Sequence, residues 1–105
     1  MSQIACNIHA LNTAERQEHS TATKRLLAAV TLRRELKNGY VFELDKTRIT
    51  LTQVAELVEN EKRCCPFFEF QIKLVRESGP LSLTLTGRNG VKQLIETVLL
   101  KLPLW

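Results

Sequence analysis

A chain of 105 residues is long enough to bury a hydrophobic core without staples, so its three cysteines need no structural duty. With 44% hydrophobic and 25% charged residues, the composition is that of a folded globular domain and excludes a disordered chain. The net charge of +4 raises the question of nucleic acid, but the basic pairs Lys24-Arg25, Arg33-Arg34 and Lys62-Arg63 are separated and interleaved with Glu15, Glu18, Glu35, Glu56, Glu59 and Glu61. No long single-sign run forms, a solvated surface is expected, and nucleic acid is not the expected partner.

The opening "MSQIACNIHA" has no basic region followed by an apolar core, and no later stretch approaches the roughly 18 apolar residues of a membrane span. These features predict a cytoplasmic protein with reduced thiols and no membrane association. An odd number of cysteines, two of them adjacent, also speaks against a secreted disulfide framework. No linker, low-complexity tract or long repeat interrupts the chain, so 1–105 is expected to be one domain.

In chain order, Ile4, Cys6 and Ile8 alternate onto one face of a short extended piece. Asn12 or Thr13 then caps a helix through "TAERQEHSTATKRLLAA", whose apolar stripe is thin. "AVTLRRELKNGYVFELD" predicts a hairpin, with Asn38-Gly39 supplying the positive φ angles of a type I′ turn and Tyr40, Phe42 and Leu44 sharing a strand face. Thr50 and Gln53 form a capping box for the helix "LTQVAELVENEKRC", with Leu51, Val54, Ala55 and Val58 as its stripe.

Two more strands follow. Phe68, Phe70, Ile72 and Leu74 face one way against Glu69, Gln71 and Lys73. After the turn "ESGP", Leu81, Leu83 and Leu85 alternate with Ser82, Thr84 and Thr86. Asn89 is the expected cap of a last helix with Val91, Leu94, Ile95, Val98, Leu99 and Leu102 inside. Leu100, Leu102, Leu104 and Trp105 make an apolar C-terminal end that could cover the core's edge or a neighbouring subunit, a route to a homodimer or a protein partner. The order α-β-β-α-β-β-α predicts an α+β two-layer sandwich, a mainly antiparallel four-stranded sheet with helices over one face.

The chemistry-bearing stretch is "EKRCCPFFEF". Pro66 pushes the residue before it out of the α region, so the helix is expected to end near Cys64 with Cys65 extended and both sulfurs in a bend. A bond between them is disfavoured, because consecutive Cα atoms stand about 3.8 Å apart and disulfides want about 4.4 Å or more. Thioredoxin-like catalysis fits poorly too, since its thiol uses C-x-x-C spacing at a helix N-terminus, whereas the dipole at a C-terminus opposes a thiolate. A soft metal or metalloid ion lowers a thiol pKa by bonding to it, whatever the dipole.

The candidate metal ligands are therefore Cys64 and Cys65, with Cys6 as a third sulfur and Glu61 as an oxygen ligand; His9 could add an imidazole. Adjacent cysteines lack the C-x₂-C spacing of a zinc knuckle, so an open thiol site is favoured over a closed zinc site. Two other readings stand beside it: cysteines packed as small hydrophobes in an interaction domain, and a thiol redox protein. No catalytic or organic-cofactor residue stands out. His9 and His19 have no partner at catalytic spacing, and the phenylalanines continue the core face of Ile72 and Leu74.

Glu61, Cys64, Cys65, Pro66, Phe67 and Phe70 resemble the motif E-x-x-C-C-P-F-x-F of a group of small, uncharacterised bacterial proteins. "GYVFEL" and "LSLTLTGRNGVK" are similar to that group's G-Y-x-F and L-x-L-x-x-x-G-x-x-G-x-K segments. The resemblance implies a compact bacterial cytoplasmic domain and no particular reaction.

Overall fold

The computed structural model describes residues 7–98. A single 3-10 turn (Ile8–Ala10) precedes helix α1 (Thr13–Ala29), strands β1 (Val30–Leu36) and β2 (Gly39–Leu44), helix α2 (Leu51–Cys64), strands β3 (Glu69–Leu74) and β4 (Leu81–Thr86), and helix α3 (Val91–Val98). Two antiparallel hairpins join by pairing β2 with β4, giving one antiparallel sheet in the order β1-β2-β4-β3. Tyr40, Phe42, Leu44, Leu81, Leu83 and Leu85 line one sheet face and form a single core with Leu26, Leu27 and Ala29 of α1, Val54 and Leu57 of α2, and Val91 and Ile95 of α3. The expected α+β two-layer sandwich is what the chain forms. Among the described residues no helix is long and apolar enough to cross a membrane.

Local chemistry explains the element ends. Asn12 and Glu15 form a reciprocal capping box at the start of α1, with Glu15 N–H donating to Asn12 Oδ1 at 2.8 Å and Asn12 N–H to Glu15 Oε1 at 2.9 Å. Such a cap stabilises by about 1 kcal/mol. At its far end, the Ala28 and Ala29 carbonyls accept from the Arg48 guanidinium at 3.2 Å and the Asp45 N–H at 2.8 Å, so these orphan acceptors are satisfied. Thr50 and Gln53 build the expected box on α2.

Four local expectations are corrected. Ile8 sits in the 3-10 turn, not in an extended piece: the Asn7 side chain accepts from His9 N–H and its carbonyl from Ala10 N–H, both at 3.1 Å, which bends the chain. The hairpin turn is Lys37-Asn38, because Gly39 already pairs with Leu36, and neither turn residue has a positive φ. Gly39 is required for space, since a Cβ there would lie 1.9 Å from the Leu85 carbonyl oxygen across the sheet. The inner stripe of α2 is Val54, Leu57, Val58 and Cys64, with Leu51 and Ala55 exposed. Gly90 (φ 98°), not Asn89, occupies the cap position of α3, its carbonyl accepting from Leu94 N–H at 3.1 Å.

In α3, Val91 and Ile95 are fully buried, and Lys92 reaches Glu35 at 3.0 Å while lying over the Tyr40 ring. Phe67, Phe68 and Phe70 pack edge-to-face in sequence and against the core. On β3, Ile72 and Leu74 share the core side with Leu83 and Leu81 but remain exposed. Ile4 and Cys6 of the expected extended piece, Leu99 and Leu102 of the last helix's stripe, and the rest of the apolar C-terminal end lie outside the described residues.

Candidate metal centre

His19, Thr23, Leu26 and Leu27 of α1 recur at helical spacing, and so do Leu57, Glu61 and Cys64 of α2. The two stripes face each other along the α1–α2 seam, so a histidine and a carboxylate enter an otherwise apolar contact together. The end of the seam is clamped. Asn7 N–H donates to the Cys64 carbonyl at 2.7 Å, which satisfies an orphan acceptor at the end of α2. The Arg63 guanidinium spans from Glu15, at 2.7 Å and 3.4 Å, to the Ala10 carbonyl at 2.9 Å, tying the entry of α1 to the last turn of α2.

His19 Nε2 stands 2.5 Å from Glu61 Oε2. A carboxylate only accepts, so the ring N–H donates, and in the neutral imidazole Nδ1 is left with its lone pair. Nδ1 is buried and has no hydrogen-bond partner. The side chains are 13% and 16% exposed, and Thr23 Oγ1 donates to the His19 carbonyl at 2.8 Å. Glu61 also borders a small cavity lined by Leu26, Leu27 and Leu57 above and Phe42, Phe70, Leu83 and Leu85 below. Such low-dielectric surroundings strengthen any charge interaction at the carboxylate.

Cys64 is a free thiol, 5% exposed, its Sγ 3.6 Å from the Asn60 and Glu61 carbonyls. Burial pushes its pKa up and the Glu61 charge adds to that, against smaller lowering effects from a backbone hydrogen bond and from Arg63. A thiolate here and the Glu61 carboxylate repel each other, and a cation between them removes that repulsion. One ligand atom each from His19, Glu61 and Cys64 lies within 4.8 Å of the others. Imidazole nitrogen, carboxylate oxygen and thiolate sulfur are the donor types that zinc-like ions take.

Of the residues singled out in the sequence, Glu61 and Cys64 are brought together in this cluster. Cys65 is 1% exposed with its sulfur 3.8 Å from that of Cys64, but it is bonded in a disulfide and offers no thiolate in this state. That overturns the expectation of uniformly reduced thiols. The second sulfur is not Cys64, which is free, so no bond joins the adjacent pair. Cys6 lies outside the described residues. His9 is exposed and is not a member of the cluster.

Helix α2 ends at Cys64 as expected, with Cys65 at φ −130°, ψ 68°. Pro66 then takes the second position of a turn closed by Phe68 N–H on the Cys65 carbonyl at 3.3 Å. The donor that sequence reasoning missed is His19. Its position three and four residues before Ala22 and Thr23, and seven before Leu26, was the available signal that it belongs on the inner face.

No family model, curated protein or solved structure matches this chain.

Proposed function

We propose that this protein is a small bacterial cytoplasmic domain that binds a thiophilic or borderline-soft metal ion, with His19, Glu61 and Cys64 as ligands. The observation that carries this is the convergence of three different donors in a half-buried seam where the lone pair of His19 Nδ1 has nothing else to bind. A hard ion such as Mg(II) prefers an all-oxygen shell and is disfavoured by the thiol and imidazole, whereas Zn(II) and Cd(II) accept the mixed set. Binding displaces the thiol proton, and the ion takes one bond from His19 Nδ1 and one from Glu61 while the ring keeps its Nε2 proton. While Cys65 is held in its disulfide, three protein ligands leave a fourth position open. Ion binding is the function proposed, and no reaction is assigned.

The test is calorimetric titration of the protein with Zn(II) and with Mg(II). One Zn(II) per chain, no Mg(II), and a weakening of at least about tenfold in both His19→Ala and Cys64→Ser support the proposal. Zinc binding unchanged in both variants refutes it.

A second function, an interaction domain, is favoured by one observation: Ile72 (37% exposed) and Leu74 (54% exposed) sit on the core side of edge strand β3. An uncovered apolar edge of this kind is an association hazard unless something packs on it. Light scattering of Leu74→Lys against wild type decides it, because loss of a dimer in the variant supports pairing there and a monomer in both excludes it.

A further inference from the structure

The three-donor cluster is one ligand short of a closed tetrahedral site. A second sulfur stands beside that of Cys64. Cys65 Sγ is 3.8 Å from Cys64 Sγ, and the side chain is nearly fully buried. In this structure that sulfur is held in a disulfide, and a disulfide sulfur has no negative charge to offer a cation.

Building on the ion-binding proposal, we propose that reduction of the Cys65 disulfide converts the open His19, Glu61 and Cys64 site into a closed four-ligand site with Cys65 as the added thiolate. Metal retention is then gated by thiol redox state, and the ion class is Zn(II) or Cd(II). The geometry matches, because two sulfurs bound at about 2.3 Å to one tetrahedral ion stand about 3.8 Å apart, the separation found here. Backbone conformation makes this possible: Cys65 has left the helix at φ −130°, ψ 68°, so its side chain no longer follows the roughly 100° rotation away from Cys64 that a continuing helix imposes. Pro66 enforces that departure.

The step balances with a dithiol as reductant. The dithiol gives two electrons and two protons to the Cys65 disulfide and closes to its own disulfide, leaving Cys65 and its former partner as thiols. The ion then takes the place of the thiol protons of Cys64 and Cys65, which pass to solvent. A compartment that keeps thiols reduced holds the site closed, and an oxidising one opens it.

The test titrates Cd(II) into wild-type protein in two states, oxidised as prepared and reduced with a dithiol that is removed before titration, reading affinity and the sulfur-to-cadmium charge-transfer band. The expected result is a band about twice as intense per ion after reduction and an affinity higher by about tenfold or more. Cys65→Ser keeps the oxidised-state band with or without reductant.

Equal bands and affinities in both states of wild type overturn the gate while leaving the three-ligand site intact, since the oxidised protein still binds. Failure of the oxidised protein to bind, with reduced binding insensitive to His19→Ala, instead sinks the three-ligand site and the gate with it. The comparison of the two wild-type states stands even if a serine variant does not fold.

Discussion

His19 and Glu61 lie 42 residues apart in sequence and meet at 2.5 Å across the α1–α2 seam. Their pairing ties the two helices together and, on the proposed function, holds two ligands side by side before any ion arrives. The two roles separate by mutation. In the metal-free protein, His19→Ala leaves a half-buried carboxylate facing apolar side chains without its partner, and thermal melts should show a loss of about 1–3 kcal/mol. Glu61→Gln keeps an acceptor for the ring N–H, so it should cost less in stability while weakening zinc by at least about tenfold. A Glu61→Gln protein that binds zinc like wild type would show that the carboxylate serves the helix contact alone.

Proton release offers a second check. The raised pKa of Cys64 keeps its sulfur protonated near neutrality, so each zinc bound should displace about one proton from the oxidised protein. Apparent affinity should then rise about tenfold per pH unit between about pH 7 and 8. Calorimetry in buffers of different ionisation heat counts the protons, and a count of zero removes Cys64 from the ligand set.

The acid limb of stability traces to the clamp beside the site. The hydrogen bond from Arg63, followed by the Asn12 backbone, holds the Glu15 carboxyl below its ordinary value of 4.5, and Thr47 does the same for Asp45 from 3.8. Folded pKa values below the unfolded ones mean that these groups stabilise the fold above the unfolded pKa. That contribution is lost as pH falls from about 4.5 through the lower folded value. Melting curves of Glu15→Gln should therefore show a shallower fall below that pH than wild type. Parallel acid limbs would mean that Arg63 gains nothing from Glu15.

Gly39 supports the sheet on which the seam rests. Any Cβ there meets the Leu85 carbonyl at 1.9 Å, and backbone on both sides cannot yield cheaply. Gly39→Ala should cost about 2–3 kcal/mol or more through the forced separation of β2 and β4. A denaturant midpoint within error of wild type would contradict the packing described here.

Local signals were legible where they were self-contained. The Thr50 and Gln53 box, the alternation of Leu81 to Thr86, and the end of α2 before Pro66 each depend on a few neighbouring residues, and the structure keeps them. The order α-β-β-α-β-β-α followed from the same signals. What depended on distant residues was harder to read. Gly39 looked like a turn glycine because Asn-Gly is a turn signature, and only the close approach of β4 shows that it is there for lack of a side chain. The β2–β4 pairing that fixes strand order has no mark in either strand alone. At the site, Glu61 and Cys64 were found because they share a short motif. His19 has no mark of a ligand in its neighbouring residues because its partner is on another helix, although its place on the α1 stripe is visible in the sequence.

A zinc-edge anomalous difference map from crystals of the protein grown with Zn(II) is the most direct test of the site. A single peak in the α1–α2 seam is predicted, about 2.0–2.2 Å from a His19 ring nitrogen and a Glu61 oxygen and about 2.3 Å from Cys64 Sγ. A map with no peak in the seam at full zinc occupancy elsewhere, or with His19 and Glu61 still paired and the ion bound only at surface residues, would contradict it.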